Sequence, residues 1–170
     1  MNRLIFLFLV GIFLPFFSVS QINTDRESDF DKQVNSLVDA LSLRDQIAQL
    51  MMVAMYPKKG TGHDAEIDRL IKDYHIGGLI VFQGTPEQTV KKLNKFQSES
   101  TIPLLTAIDA EWGPSMRLKN SPAFPKAMAL GAINSNNDSL IYLMGKEIAN
   151  ELKRMGIFVN LAPVVDVNSN

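Results

Sequence analysis

The sequence predicts an α/β fold, the N-terminal half of a (β/α)8 barrel. Three observations carry that expectation. Short apolar runs alternate along the chain with amphipathic helical stretches. The runs are apolar at successive positions rather than at every second one, the pattern of a parallel sheet covered on both faces. No glycine-rich phosphate loop follows any run; Gly77 and Gly78 precede theirs, the wrong side for a dinucleotide fingerprint. An open, doubly wound sheet shares the first two signs, and the third turns the expectation towards a barrel. A full barrel takes eight units and about 250 residues. The 170 residues here yield three or four units. They are expected to be part of a longer barrel, cut where a strand hands over to a loop; the alternative is a complete small α/β domain.

The elements follow in order. Residues 21 to about 30 are polar and expected to lack regular structure. Val34, Leu37, Val38 and Leu41 keep helical spacing. Ser42 with Asp45 three residues on starts a second, short helix. The run from Leu50 to Met55 either ends that helix or forms a buried strand, and its methionines Met51, Met52 and Met55 are expected in the core. Ile67, Leu70, Ile71 and Tyr74 mark an amphipathic helix that leads to the strand Gly77–Phe82. Thr85, Pro86 and Gln88 combine an N-cap, a proline at the first helical position and a glutamine at the third. Val90, Leu93 and Phe96 give that helix its apolar stripe. Ile102–Ile108 is the third strand, followed by a long loop with Pro114, Pro122 and Pro125. Ile141, Met144, Ile148, Leu152 and Met155 share one face of a helix from about Asn136, closed by Gly156. Ile157–Asp166 is the last strand, where Pro163 predicts a bulge or an end to pairing.

The N-terminus has Arg3, an apolar run from Leu4 to Phe17, and Ser18 and Ser20 before Gln21. That is the pattern of a secretory signal cleaved after Ser20. The run is short of the roughly 20 residues a membrane span takes, so no stable membrane anchor is expected. The predicted organisation is a signal peptide over 1–20, a lead-in and first helix over 21–40, and a partial barrel over 41–170. The protein is then secreted or periplasmic. A net charge of -1 supports no nucleic-acid partner. With no cysteine, disulfides, zinc-thiolate sites and thiol nucleophiles are excluded. Protein partners are not readable from the sequence.

Barrel active sites lie at the C-terminal ends of the strands. There the sequence places Gln83, Asp109, Glu111 and Asp166, an acidic rim suited to a ligand with many hydroxyls. Arg117 adds a fork of donors, and Trp112 offers an apolar face for a sugar ring. Each also has a plainer role: Asp109 and Glu111 as a solvated strand end, Trp112 as packing, Asp166 as a cap. A glycosidase needs two carboxyl groups about 5–9.5 Å apart around the scissile bond. Asp109 and Glu111 at i, i+2 project to the same side, which argues against that pairing. His63 and His75, in a loop and at a helix end, show no metal spacing, and no metal or other cofactor is expected.

The run Ile108–Leu118, IDAEWGPSMRL, resembles the Asp-x-Glu-Gly-Gly segment of glycoside hydrolase family 3, with its arginine a few residues on. Further blocks agree in order: LSLRDQIAQL from Leu41, GGLIVF from Gly77, FPKAMALGA from Phe124, GKEIANEL from Gly145 and LAPVVDVN from Leu161. Asp-Ala-Glu-Trp-Gly looks most like the bacterial β-N-acetylhexosaminidase-like branch, although Trp112 stands where the pattern has glycine. The resemblance implies a TIM barrel that removes terminal β-linked sugars with retention. It implies that Asp109 and Arg117 bind hydroxyls of the non-reducing sugar, with Glu111, Trp112 and Asp166 supporting the site loops. The nucleophile and acid/base are expected beyond Asn170, so no catalytic residue is assigned here and the 170 residues alone are expected to be inactive. N-acetylhexosamine is the first expectation for the sugar and glucose the second. The alternative is a non-catalytic, sugar-binding or partner-dependent partial barrel.

Overall fold

The computed structural model describes residues 24–133 and 138–166; the expected signal, residues 1–20, lies outside them. The chain divides at Ala40 into two compact units. In the first, helix α1 runs over Thr24–Asp39. It therefore takes in most of the stretch expected to lack structure. That stretch contains neither glycine nor proline, so nothing in its backbone opposes a helix.

The second unit begins at Leu41. Its helices are α2 (Leu43–Gln49), α3 (Thr61–Tyr74), α4 (Pro86–Glu99), α5 (Ala127–Gly131) and α6 (Asp138–Arg154). Its strands are β1 (Met52–Met55), β2 (Gly78–Val81), β3 (Leu105–Ile108) and β4 (Val159–Asn160). All pairings are parallel and the strands lie in chain order, β1-β2-β3-β4. A doubly wound sheet reverses its order at a switch point. An unreversed order with crossovers of one hand is instead the arc of a barrel. The predicted α/β half-barrel is thus the observed architecture.

The helix starts act as their sequences dictate. The Ser42 hydroxyl accepts the Asp45 N–H at 3.2 Å. At α4 the Thr85 hydroxyl accepts the Gln88 N–H, and the Gln88 side chain accepts the Thr85 N–H in return. Gly77 precedes β2 because nothing larger fits: a Cβ there would lie 1.8 Å from the Gln49 carbonyl oxygen. The core lies between sheet and helices. Ile67 and Ile71 of α3, Leu93 and Phe96 of α4, and Ile148 and Leu152 of α6 pack around Met55, Leu79, Val81 and Ile108.

The run after Leu50 proves to be a strand. Met55 is fully buried, but Met51 is 51% exposed and lies outside the core, because it precedes the sheet. β4 is two residues long rather than extending to Asp166; Pro163 has no N–H to offer a neighbouring strand. His63 sits in the first turn of α3, not in a loop, because that helix starts at Thr61, after the N-cap Gly60.

Candidate functional site

Asp109 follows β3 directly, at the C-terminal end of the sheet. The chain then turns through Gly113, at φ 87° and ψ 176°, into a single 3-10 turn over Pro114–Met116. Only glycine fits there, since a Cβ would meet the Phe124 ring at 2.5 Å. The Leu118 N–H returns to the Pro114 carbonyl at 2.8 Å, and the Leu118 side chain is fully buried. The Gly84 N–H donates to the Arg117 carbonyl at 3.4 Å, and the Lys119 N–H donates to the Gly84 carbonyl at 2.8 Å. The β3 loop is thereby tied to the end of β2.

This turn carries Arg117 back over Asp109. Arg117 Nη2 donates to Asp109 Oδ2, with the side chains 24% and 28% exposed. A charge-assisted bond at that depth is stronger than a solvated surface pair. Asp109 Oδ1 has no protein partner among the described residues and is free to accept a hydroxyl. Arg117 also lines a cleft of about 520 Å³ with Lys58, Gln83, Gln88, Ser115 and Lys119.

Asn160, at the end of β4, holds the backbone beside Asp109. Its Oδ1 accepts the Ala110 N–H at 3.0 Å and its Nδ2 donates to the Ala110 carbonyl at 3.2 Å. Sequence reasoning missed this residue. The available signal was one polar side chain inside the apolar run Ile157–Leu161.

The other predicted residues are dispersed. Glu111 lines a separate, largely apolar cavity of about 390 Å³ with Ile141, Met144, Ile148 and Leu152. It makes no hydrogen bond or ion pair among the described residues. Trp112 is half-buried; its carbonyl accepts the Phe124 N–H at 3.1 Å, and Lys126 Nζ lies 4.7 Å from its ring centre. Gln83 is exposed at the cleft, its carbonyl accepting the Lys58 N–H at 3.2 Å. Asp166 is exposed beyond β4 and joins neither Asp109 nor Arg117. The structure thus brings together Asp109 and Arg117 and leaves Glu111, Trp112 and Asp166 apart from that pair. His75 bonds Asp45 Oδ1 at 2.8 Å near the opposite end of the sheet, before β2. Among the described residues no group of three or more His, Asp or Glu side chains is placed to hold a metal ion.

The fold agrees with what the chain resembles. Beta-hexosaminidase A of Pseudoalteromonas piscicida is 36% identical over 116 residues, 62% of this chain and 19% of that protein. The structure of a fungal multi-domain GH3 beta-N-acetylglucosaminidase is 33% identical with a TM-score of 0.60, covering 76% of this chain and 16% of that one. A beta-glucoside phosphorylase, BglX, shares the fold with a TM-score of 0.71 at 21% identity, over 82% of this chain and 24% of that one. The chain therefore spans no more than about a quarter of these proteins. Residues 42–170 match the family model described as the glycosyl hydrolase family 3 N terminal domain, and on that match the chain belongs to glycosyl hydrolase family 3.

Proposed function

We propose that this chain supplies the first βα units of an exported β-N-acetylhexosaminidase that acts with retention, and that Asp109 and Arg117 bind hydroxyls of the terminal sugar. The observation that carries the proposal is the Asp109–Arg117 pair at the C-terminal end of β3, with Asp109 Oδ1 open and Arg117 on a cleft. A carboxylate beside a guanidinium offers acceptor and donor to neighbouring hydroxyls at once. The hexosaminidase relative at 36% identity supports the choice of sugar.

In a retaining glycosidase a carboxylate attacks the anomeric carbon while a second group protonates the leaving oxygen; water then releases the sugar. Those two groups are assigned to residues beyond Asn170. The part of Asp109 and Arg117 is to seat the ring so that the anomeric carbon meets them, which is a positioning contribution. Asn160 keeps Asp109 in place through Ala110. No cofactor enters this route. Export rests on Arg3, the Leu4–Phe17 run and the serines before Gln21. No described helix is long and apolar enough to cross a membrane.

The test is hydrolysis of nitrophenyl β-N-acetylglucosaminide and nitrophenyl β-glucoside by the intact gene product. Preference for the first is expected; preference for the glucoside would reverse the sugar. Asp109→Ala should raise KM for the preferred substrate by about tenfold to a hundredfold, the range of losing one or two bonds to a charged group. Residues 21–170 alone should show no turnover, and release of nitrophenol above a blank would sink that part.

A further inference from the structure

Arg117 is held by more than Asp109. Its guanidinium carbon lies 5.1 Å from the centre of the Phe82 ring, directly after β2. Phe82 stacks on Tyr56 at 5.4 Å with 23° between planes. Tyr56, directly after β1, meets the edge of His63 at 5.6 Å and 67°. The backbone pins the same rings. The Phe82 N–H donates to the Met55 carbonyl at 2.8 Å, and the Tyr56 N–H donates to His63 Nε2 at 3.0 Å. An acceptor Nε2 places the ring proton on Nδ1, so the hydrogen bond requires neutral His63. Its side chain is only 11% exposed, and burial, followed by the charge of Lys59, lowers its pKa; Glu66 and Asp64 act against this and Lys92 with it.

An arginine side chain has many rotamers, and one contact at Nη2 leaves its plane free to turn. A second contact, with a ring face, fixes the plane. Arg117 Nε is buried and has no partner among the described residues, so no further hydrogen bond at that atom orients the group. We propose that Phe82, braced by Tyr56 and His63, is the positioning residue of the Asp109–Arg117 pair, and that the ring column sets affinity for the sugar rather than the rate of bond cleavage. This rests on the sugar-binding role proposed for the pair. Three side chains from three successive segments, β1 end, α3 start and β2 end, thereby act on a fourth from the β3 loop. None of the three touches the reacting atoms.

The experiment uses the intact gene product at the length its reading frame encodes. Phe82→Met keeps apolar volume and removes the ring; Phe82→Trp keeps a ring. Two readouts are taken: KM and kcat for the preferred nitrophenyl glycoside, and the rate at which phenylglyoxal modifies Arg117, followed by mass spectrometry. Phe82→Met is expected to raise KM about fivefold to twentyfold with kcat within about twofold, and to label Arg117 about threefold faster. Phe82→Trp should restore both. If Phe82→Met fails to fold by circular dichroism, Tyr56→Leu serves, with a smaller shift in the same direction. The proposal is overturned if a folded ring-free variant keeps KM and labelling at wild-type values, or if it lowers kcat alone. Should the wild type hydrolyse neither glycoside, the glycosidase proposal fails, and the labelling rates alone decide whether the column holds Arg117.

Discussion

Replacing Asn160 by alanine removes one side-chain amide; it leaves the Ala110 N–H without a partner and the Ala110 carbonyl with only the Gly113 N–H, at 3.1 Å. The lost bonds are 3.0 and 3.2 Å long, and Ala110 is fully buried. A buried donor or acceptor left unsatisfied costs about 1–3 kcal/mol. Asn160 itself is half-buried, so water can reach part of the gap and the lower half of that range applies to the N–H, while the second bond lost at the carbonyl adds about 0.5–1 kcal/mol. The expected loss is about 1.5–3 kcal/mol. With a urea slope of about 2 kcal/mol per molar, the midpoint of this domain's transition falls by about 0.7–1.5 M. The assay is a urea titration followed by far-ultraviolet circular dichroism, with hydrogen exchange of the peptide that contains Ala110. Asn160→Asp keeps the acceptor for the Ala110 N–H but turns a charged oxygen on its carbonyl, so it should be no milder than alanine. A midpoint shift under about 0.3 M together with unchanged exchange at Ala110 would refute the reasoning, since neither bond would then contribute.

Further outcomes follow from other sites. Gly113→Ala forces a side chain onto a backbone at φ 87° and against the Phe124 ring, and should destabilise by about 2–4 kcal/mol, read as a lower urea midpoint and a raised KM. Thr85→Ala removes the hydroxyl that caps α4 and should cost about 1 kcal/mol in the same titration. Phe96→Ala opens a cavity at a fully buried site between α4 and the sheet and should cost about 3–5 kcal/mol; a smaller loss means the neighbours collapse into the space. The unfolded chain protonates His63 near pH 6.5, whereas burial holds the folded pKa lower. Stability from this residue is then complete above about pH 6.5 and falls as pH drops below it, because the unfolded state binds the proton first. Urea midpoints measured from pH 7.5 down to 5 should show that fall, and His63→Gln should flatten it.

Much of the fold was legible because local chemistry and global fold agree. Ser42, Thr85 and Gln88 start helices by bonding backbone groups within three residues, so the sequence holds both partners. Apolar runs at Leu79–Val81 and Ala107–Ile108 are strands because neighbouring strands bond both their edges and helices pack against them in the core. Strand boundaries were misjudged for reasons that lie outside the run itself; β3, expected from Ile102, begins at Leu105, where its pairing with β2 begins. Nothing local told Met51 that the sheet begins one residue later, and only the pairing with β3 shows that β4 ends at Asn160. α1 was missed at its start because polarity was taken for lack of structure, although helix propensity there is unopposed.

For the site, the sequence by itself determined which side chains stand at strand ends: Asp109, Glu111 and Arg117 sit within one loop. It did not decide which of them meet. Asp109 and Glu111 are two residues apart, yet Asp109 bonds Arg117 while Glu111 lines a different cavity. That choice is made by Gly113 turning the chain, by Leu118 and Gly84 anchoring its return, and by Asn160 reaching across from fifty positions away. Short-range bonds and propensities act through neighbours in the chain and are written there. Long-range bonds depend on where the sheet lays one strand beside another, and that is decided only when the whole arc is assembled.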